Sequence, residues 1–372
     1  MPQSFACPQC GAPIRLEADP PPTVRCPHCG TSVIVPEGLR LRPQAQPVVI
    51  RIDAGGIPAV PPRVGRGVVI AIVAVVLIGA AIGVAGLVLG LGAATTAIRL
   101  PGDVSGSLGR ELRSFGGSGI GPGLFTDARS VGGDGEGNVY VGEYQGGRIQ
   151  VFSPEAEFVT QWFVDRDLPL TGMAVRRDGD VYTVQRGEIV RRDGLTGEAV
   201  ESIVYGEGSY FEDIALLADG GLLASWYANR DDLVVFGTDG EWLFTVEEAV
   251  SGQSGDSELT MRVASAGNGD LLALGRFNES IFRFGPDGRF LNRFGTAGDE
   301  PGQLRAPLSL AVDGQGRVYV GDIWGVEVFD LSGRYTGRIE MDGTPYGLSV
   351  DAQGHLWVVN GTHVLEFAIE ES

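Results

Sequence analysis

The chain has 372 residues, of which 47 are acidic and 28 are basic, and it contains no lysine. Residues 1–99 hold eight arginines and four acidic residues, whereas residues 100–372 hold twenty arginines and 43 acidic residues. Such an acidic body argues against nucleic acid or an anionic surface as its partner and favours a soluble, self-repelling domain. All four cysteines lie within the first 29 residues, so they belong to one small local site and not to a secreted disulfide scaffold.

Residues 5–36 read FACPQCGAPIRLEADPPPTVRCPHCGTSVIVP and contain two Cys-Pro-x-Cys-Gly motifs. Each motif is a tight turn that brings two thiolates to one side, and four thiolates suit a tetrahedral Zn²⁺ site. The predicted ligands are Cys7, Cys10, Cys26 and Cys29. His28 lies inside the second motif and is interpreted as a non-ligand, because four cysteines already complete the coordination. We therefore predict a structural zinc ribbon over residues 1–36, with two disulfides or a redox-active pair as the alternative.

Residues 37–66 are rich in Pro, Gly and Arg and are predicted to form an extended linker. The next segment, 67–98, has no charged residue from Val68 to Ile98. This length exceeds the roughly twenty apolar residues that cross a bilayer, so a single transmembrane helix is predicted, followed by a connector at 99–107. Nearby arginines favour a cytoplasmic N-terminus, and a thiolate zinc site persists best in a reducing compartment. The predicted localisation is a single-pass membrane protein with a cytoplasmic zinc ribbon and an extracytoplasmic C-terminal body.

The C-terminal body is built on a repeated motif. One copy, at 115–152, reads FGGSGIGPGLFTDARSVGGDGEGNVYVGEYQGGRIQVF, and another, at 294–330, reads FGTAGDEPGQLRAPLSLAVDGQGRVYVGDIWGVEVFD. Alignment on the second strand of the motif gives six units, which begin at Asn138, Asp180, Gly221, Asp270, Arg317 and His355. The steps between these starts are 42, 41, 49, 47 and 38 residues. Such a period, with several short strands and Gly-bearing turns per unit, is typical of all-β repeat proteins.

These repeats resemble the NHL-repeat family, whose units are blades of a β-propeller, and the resemblance covers residues 109–369. We therefore predict an all-β, six-bladed β-propeller over residues 108–370. The last unit ends before an outermost strand can form, and GRELRSFG at 109–116 matches the outer strand of another unit at 288–295. Residues 109–116 are predicted to complete the sixth blade, because a closed ring removes the open edges of its sheets.

The resemblance implies that some relatives are metal-dependent lactonases or lyases, with carboxylate, Asn or His ligands on the innermost strands around a central tunnel. The repeat alignment places the equivalent positions at Ser130, Gly172, Asp213, Arg262, Ser309 and Gly347. One Asp, one Arg and four small residues do not make a metal site. Glu212 is expected to face away from Asp213 because neighbours on a strand alternate, and His355 and His363 are interpreted as surface residues. The sequence predicts no catalytic residues and no enzymatic activity, with a metal-dependent lactonase or lyase as the alternative.

The breaks between the second and third strands of the units are expected to share one rim of the propeller. The predicted ligand-binding residues on this rim are Tyr144, Trp226, Tyr227, Arg276, Phe277 and Trp324. Aromatic and Arg side chains are enriched at interaction hot spots, although packing of these aromatics between blades would explain them equally. We predict a protein, peptide or glycan ligand, so that the chain acts as a sensor or scaffold. A cytoplasmic partner of the zinc ribbon is a further prediction, and structural Zn²⁺ is the cofactor.

Overall fold

The structure is a computed structural model, and it describes residues 4–6, 13–15, 23–25, 27, 32–34 and 108–370. The chain divides into two compact units, Met1–Ala97 and Ile98–Ser372.

The first unit contains two hairpins of short strands. The strand β1 (Ser4–Ala6) pairs antiparallel with β2 (Pro13–Arg15), and β3 (Thr23–Arg25) pairs antiparallel with β4 (Ser32–Ile34). Each Cys-Pro-x-Cys-Gly motif therefore lies, in the sequence, between the two strands of one hairpin. The four cysteines themselves lie outside the described residues, as do the predicted linker and connector, so the zinc ribbon stays a prediction.

The second unit is a ring of six four-stranded antiparallel sheets, which confirms the predicted six-bladed β-propeller. Blades one to three comprise β6 (Ala128–Gly133), β7 (Val139–Glu143), β8 (Arg148–Phe152) and β9 (Phe158–Phe163); β10 (Gly172–Val175), β11 (Val181–Gln185), β12 (Glu188–Arg192) and β13 (Ala199–Ile203); and β14 (Phe211–Leu216), β15 (Leu222–Tyr227), β16 (Asp231–Phe236) and β17 (Trp242–Val246). Blades four to six comprise β18 (Met261–Ser265), β19 (Leu271–Gly275), β20 (Ser280–Phe284) and β21 (Phe290–Phe294); β22 (Ser309–Val312), β23 (Arg317–Asp322), β24 (Gly325–Asp330) and β25 (Tyr335–Ile339); and β26 (Gly347–Val350), β27 (Leu356–Val359), β28 (His363–Ile369) and β5 (Gly109–Gly116). One short helix, α1 (Ser251–Ser254), lies between blades three and four.

The Gly-bearing turn between the first two strands of a blade is held by a recurring aspartate. In blade five, Asp313 Oδ1 accepts hydrogen bonds from the backbone N–H groups of Gln315 and Arg317, both 2.9 Å long. Its second oxygen accepts the hydroxyl of the buried Tyr319 at 3.0 Å. The turn glycine, Gly316, has a φ of +82°, a conformation that L-residues rarely adopt. Hydrogen bonds within the turn and its glycine thus determine where the second strand of the blade begins.

The apolar core lies between the blades. Six clusters of buried side chains fill the six spaces between neighbouring sheets. In the cluster between blades two and three, Trp226 packs edge-on against Tyr205 and Tyr210, with ring centroids 6.1 and 5.6 Å apart. Each sheet is therefore covered on both faces, as in the interior of a sandwich.

Ring closure depends on β5, which pairs antiparallel with β28 from Gly116 opposite His363 to Gly109 opposite Ile369. Arg113 on β5 bonds Glu366 on β28 with an Nε to Oε2 distance of 2.5 Å. The same guanidinium donates to the backbone oxygen of Pro154 in blade one at 2.6 Å. Arg113 therefore joins the first and last blades through contacts that are far apart in the sequence.

Within the described residues, no helix is long and apolar enough to cross a membrane, because α1 has four residues and a crossing needs about twenty. This finding contradicts the predicted localisation as a single-pass membrane protein with a cytoplasmic N-terminus and an extracytoplasmic propeller, and we correct it. Residues 67–98, to which the helix was assigned, lie outside the described residues.

Replacing Arg113 with Ala is expected to lower the free energy of unfolding by about 2 kcal/mol, because it leaves the buried Glu366 carboxylate without its guanidinium. Urea denaturation followed by tryptophan fluorescence measures the change. The matched control is Arg110→Ala, which removes an exposed arginine from the same strand. Equal losses in the two variants would show that the ion pair has no special part in closing the ring.

Candidate functional site

The innermost strands of the six blades line a central tunnel. Its upper end, the upper face, is defined as the end that carries the turns between second and third strands. A cavity of about 70 Å³ opens there, lined by polar and charged side chains that include Arg129, Asp213, Arg262 and Tyr346. Of the predicted tunnel positions, Ser130, Asp213, Arg262, Ser309 and Gly347 line this cavity. Towards the lower end the lining changes to side chains such as Val175, Leu216 and Val312. Charged chemistry is thus confined to the upper mouth of the tunnel.

Two of the innermost strands carry β-bulges at this mouth. In β6, Ala128 lies opposite Glu143 and Ser130 opposite Gly142, so Arg129 is an extra residue. In β14, Phe211 lies opposite Trp226 and Asp213 opposite Ser225, so Glu212 is the extra residue. A bulge interrupts the strict alternation of a strand and re-aims its side chain. The expectation that Glu212 faces away from the charges around Asp213 therefore fails, because alternation does not hold there.

Asp213 is fixed by contacts from two neighbouring strands, β15 and β18. Its Oδ2 accepts the backbone N–H of Val263 at 3.0 Å, and its own N–H donates to Ser225 Oγ at 3.0 Å. Arg262 Nη1 lies 3.4 Å from Asp213 Oδ1. Burial raises the pKa of the Asp213 carboxyl, and the Arg262 charge acts in the opposite direction. Arg262 is itself held by the backbone oxygens of Leu308 and Thr171, at 3.2 and 2.8 Å.

Glu212 is the less satisfied of the two carboxyls. Its Oε2 is buried and has no hydrogen-bond partner among the described residues. Burial raises the pKa of Glu212, and the neighbouring Asp213 charge adds to the rise. The charges of Arg262 and Arg276 and the backbone N–H of Met261 act in the opposite direction. A carboxyl with a perturbed pKa in a cleft marks a candidate functional site.

Two further guanidiniums stand at the mouth. Arg129 donates from Nε to Asp127 Oδ1 at 2.7 Å, and its Cζ lies 4.2 Å from the ring centroid of Tyr144 and 5.2 Å from that of Tyr346. Arg276 donates from Nε to the backbone oxygen of Pro307 at 3.1 Å. Burial lowers the pKa of Arg276, and the charges of Arg262 and Arg129 lower it further.

The predicted rim residues separate into three groups. Tyr144 and Arg276 belong to the tunnel mouth just described. Phe277 and Trp324 are 64% and 51% exposed on the upper face. Trp226 is 3% exposed and donates its indole N–H to the backbone oxygen of Gly208 at 3.1 Å, so it packs between blades, and the neighbouring Tyr227 is half-buried. Sequence reasoning missed Arg129 and set Glu212 aside, since a bulge leaves no clear signal in a single sequence. It also missed Tyr346, which lies just before β26.

The residues at the mouth do not fit a metal ion. The carboxylates that could bind a cation, Glu212 and Asp213, already face the guanidinium of Arg262, and Arg129 and Arg276 add two positive charges. A divalent cation would have to enter against three like charges. No chemical step at this mouth is therefore assigned to a metal.

A possible metal site lies elsewhere, in blade six, where Asp351, His355 and Glu366 offer ligand atoms within 4.8 Å of one another. His355 Nδ1 is 2.8 Å from Glu366 Oε1, but the other oxygen of Glu366 is bonded to Arg113. Asp351 is the turn aspartate of its blade, and it also accepts the indole N–H of Trp357. These three side chains thus have structural partners already.

No protein-family model matches the chain, and no curated protein sequence matches it either. Solved structures do match. A gluconolactonase from Xanthomonas campestris gives a TM-score of 0.52 at 16% identity over 70% of this chain and 98% of its own. A proposed gluconolactonase gives a TM-score of 0.54 at 18% identity over 72% of this chain and 95% of its own. A luciferin-regenerating enzyme gives a TM-score of 0.52 at 13% identity over 69% of this chain and 95% of its own. At such identities the similarity shows the propeller fold alone.

Neighbours of this fold that are named as enzymes contradict the prediction that the chain has no enzymatic activity, and we correct it. The prediction considered only metal ligands at alternating strand positions, and the bulge in β14 breaks that alternation at Glu212. Membership of the NHL-repeat family stays a prediction.

Replacing Glu212 with Gln is expected to raise the free energy of unfolding by about 1 kcal/mol at pH 8, because it removes a buried, incompletely bonded carboxylate. The pKa of Glu212 is raised from 4.5, so the folded protein holds a proton that the unfolded chain has lost. Stability of the wild type therefore falls as pH rises above 4.5, and the advantage of Glu212→Gln grows with pH until the folded carboxyl has ionised. Urea denaturation at several pH values measures it. A Gln variant that is less stable than the wild type at pH 8 would contradict the assignment, and the exposed Glu207→Gln serves as the control.

Proposed function

We propose that the tunnel mouth is the active site of a metal-independent hydrolase that acts on small lactones or esters. The observation that carries the proposal is the buried, unpartnered oxygen of Glu212 beside the guanidinium groups of Arg262 and Arg276. Natural proteins keep such an unfavourable arrangement mainly at functional sites. The names of two fold neighbours as gluconolactonases suggest the lactone class, while the chemistry rests on the mouth itself.

In the proposed reaction Glu212 acts as the general base and then as the general acid. Its carboxylate accepts a proton from water while the water oxygen bonds to the carbonyl carbon of the substrate. The C–O bond to the leaving alkoxide then breaks, and Glu212 returns its proton to that alkoxide oxygen. The raised pKa of Glu212 favours this role, because acid–base groups work best when their pKa is near the working pH.

Arg262 would stabilise the negative charge that develops on the carbonyl oxygen of the tetrahedral intermediate. A fixed donor that is directed at such an oxyanion contributes strongly, because it needs no reorganisation during the reaction. Asp213, together with the backbone oxygens of Thr171 and Leu308, holds the guanidinium in place. Asp213 is therefore a positioning residue in this proposal.

A second candidate is recognition of a protein, peptide or glycan by the upper face. It is favoured by the exposed aromatic side chains of Phe277 and Trp324 on that face. Burial of Trp226 removes one of the aromatics on which the prediction depended. We place this candidate second because ligand recognition by the upper face does not explain the buried, unpartnered carboxyl oxygen of Glu212 beside Arg262 and Arg276.

We also propose that Cys7, Cys10, Cys26 and Cys29 bind one structural Zn²⁺. The proposal is supported by the two hairpins β1–β2 and β3–β4, since each Cys pair falls between the strands of one hairpin in the sequence. Metal analysis of the purified chain is expected to give about one zinc per chain, lost in a Cys7→Ser/Cys26→Ser variant. Zinc that stays bound in the double variant would contradict this ligand set.

Hydrolysis of a panel of γ- and δ-lactones and p-nitrophenyl esters tests the main proposal. Glu212→Gln is expected to lower kcat/KM by about 10²- to 10⁴-fold, since it removes the acid–base group. In the wild type the rate should rise with pH as Glu212 ionises, and Glu212→Gln should lose this dependence. Chelation by EDTA should leave the rate unchanged. The control Glu207→Gln changes an exposed glutamate that does not line the cavity and should keep full activity.

Loss of activity on chelation, or a fully active Glu212→Gln variant, would refute the proposal. The absence of hydrolysis across the panel in the wild type would also count against it.

A further inference from the structure

A second cavity, which we call the lower chamber, lies in the tunnel below the mouth. Its volume is about 240 Å³, and residues from the innermost strand of every blade line it. The mouth and the lower chamber share one ring of apolar side chains, one from each blade: Val131, Met173, Ile214, Val263, Leu310 and Leu348. The two cavities therefore meet at this ring and belong to one tunnel.

The wall of the lower chamber contains polar backbone groups, although its side chains are mostly aliphatic. Each innermost strand stands at the end of its sheet and pairs on one side only. In an antiparallel pair, alternate residues direct both their N–H and their C=O away from the partner strand. Because the N–H of Asp313 bonds the backbone oxygen of Arg317 on the second strand at 3.1 Å, Leu310 and Val312 direct their backbone groups the other way, into the tunnel.

Two contacts confirm that backbone groups of the innermost strands face this space. Val263 donates its N–H to Asp213 Oδ2 at 3.0 Å, and the backbone oxygen of Leu216 accepts Ser265 Oγ at 2.5 Å. Backbone groups inside a protein need a hydrogen-bond partner, and valine and leucine side chains offer none. A polar cavity of about 240 Å³ has room for several water molecules, which supply such partners. The lower chamber is therefore a place for water.

Arg262 lies at the junction of the two cavities, since it lines the mouth and the next residue lines both. Its guanidinium donates to the backbone oxygens of Thr171, at the start of blade two, and Leu308, at the start of blade five. Blades two and five stand opposite each other in a ring of six, so the guanidinium lies across the tunnel. Blades one and six carry the small residues Ser130 and Gly347 at the equivalent positions. This side of the tunnel is wide enough for water and too narrow for a lactone.

We propose that the lower chamber is a water channel that supplies the water consumed at the tunnel mouth. The inference rests on the proposed hydrolase, which uses one water for each ester bond broken: the water oxygen and one hydrogen join the acyl carbon, and the other hydrogen goes to the leaving alkoxide. A substrate bound in the mouth covers the approach from the upper face. Water from the lower face then reaches the carbonyl carbon from the uncovered side, while Arg262 keeps the substrate out of the chamber.

Transfer of magnetisation from water to backbone amides tests whether the chamber is hydrated. Nitrogen-15-resolved NOE spectra of the full chain are expected to show water cross-peaks at the amides of Leu310 and Val312. The matched control is the amide of Ala311, which lies between them on β22 and is directed towards β23. Water cross-peaks that are missing at Leu310 and Val312 would overturn the inference.

Narrowing the chamber tests whether its water reaches the mouth. Val312 and Val350 line the chamber and are half-buried, so Val312→Phe and Val350→Phe place a larger side chain there. Each is expected to lower kcat for lactone hydrolysis about fivefold and to leave KM and the pH profile unchanged, because the groups of the mouth are intact. The control Val200→Phe makes the same exchange at an exposed position of β13 and should keep full activity. Thermal unfolding confirms that each variant is folded, and one folded chamber variant suffices.

The outcomes separate this inference from the proposed hydrolase. Absence of hydrolysis in the wild type would refute the hydrolase, and the supply of water to it as well. Hydrolysis that proceeds at the full rate in folded Val312→Phe or Val350→Phe would support the hydrolase and refute the water channel. An equal loss of kcat in Val200→Phe would also refute the channel, because that residue is far from the tunnel.

Discussion

Backbone pairing between β5 and β28 is the constraint on which the rest of the propeller depends. It joins residues 109–116 to residues 363–369, so the two ends of a chain segment of about 260 residues meet in one sheet. Closing so long a loop has an entropic cost that grows only slowly with length, and the pairing gives the sixth blade the fourth strand that the other five blades have. Arg113 adds side-chain contacts to Glu366 and to the backbone of Pro154. The ring can therefore hold its innermost strands at fixed positions.

Fixed innermost strands allow the tunnel mouth to hold charges that would not otherwise stay together. Arg262 is bound to backbone oxygens on either side of the tunnel, and the bulge at Glu212 presents a second carboxyl beside Asp213. Burial then raises the pKa of both carboxyls. The buried charges that destabilise the fold lie together at the mouth. The apolar contacts that stabilise it are spread over six clusters between the blades. A rigid scaffold of this kind can hold the side chains of a site in a fixed geometry without depending on them for its stability.

The sequence was sufficient for the fold because each blade repeats the same short-range signals. Turn aspartates such as Asp313, positive-φ glycines such as Gly316 and the VYV strands set both the period and the number of blades. It was insufficient for the site because Arg129 and Glu212 are bulge residues, and a single extra residue in a strand leaves the apolar pattern almost unchanged. The aromatics of the second-to-third turns were ambiguous for another reason. The repeat alignment placed Trp226 and Trp324 in equivalent breaks, but Trp226 lies within β15 and is buried, whereas Trp324 lies in the turn after β23 and is exposed.

Anomalous diffraction from crystals of the full chain, soaked separately in bromide and in manganese chloride, tests the central claim most directly. The claim is that guanidinium groups, and not a metal, define the chemistry of the tunnel mouth. It predicts a bromide peak beside Arg262, which lines the cavity, and no manganese peak in the tunnel. A manganese peak between Glu212 and Asp213, with no bromide at Arg262, would contradict it.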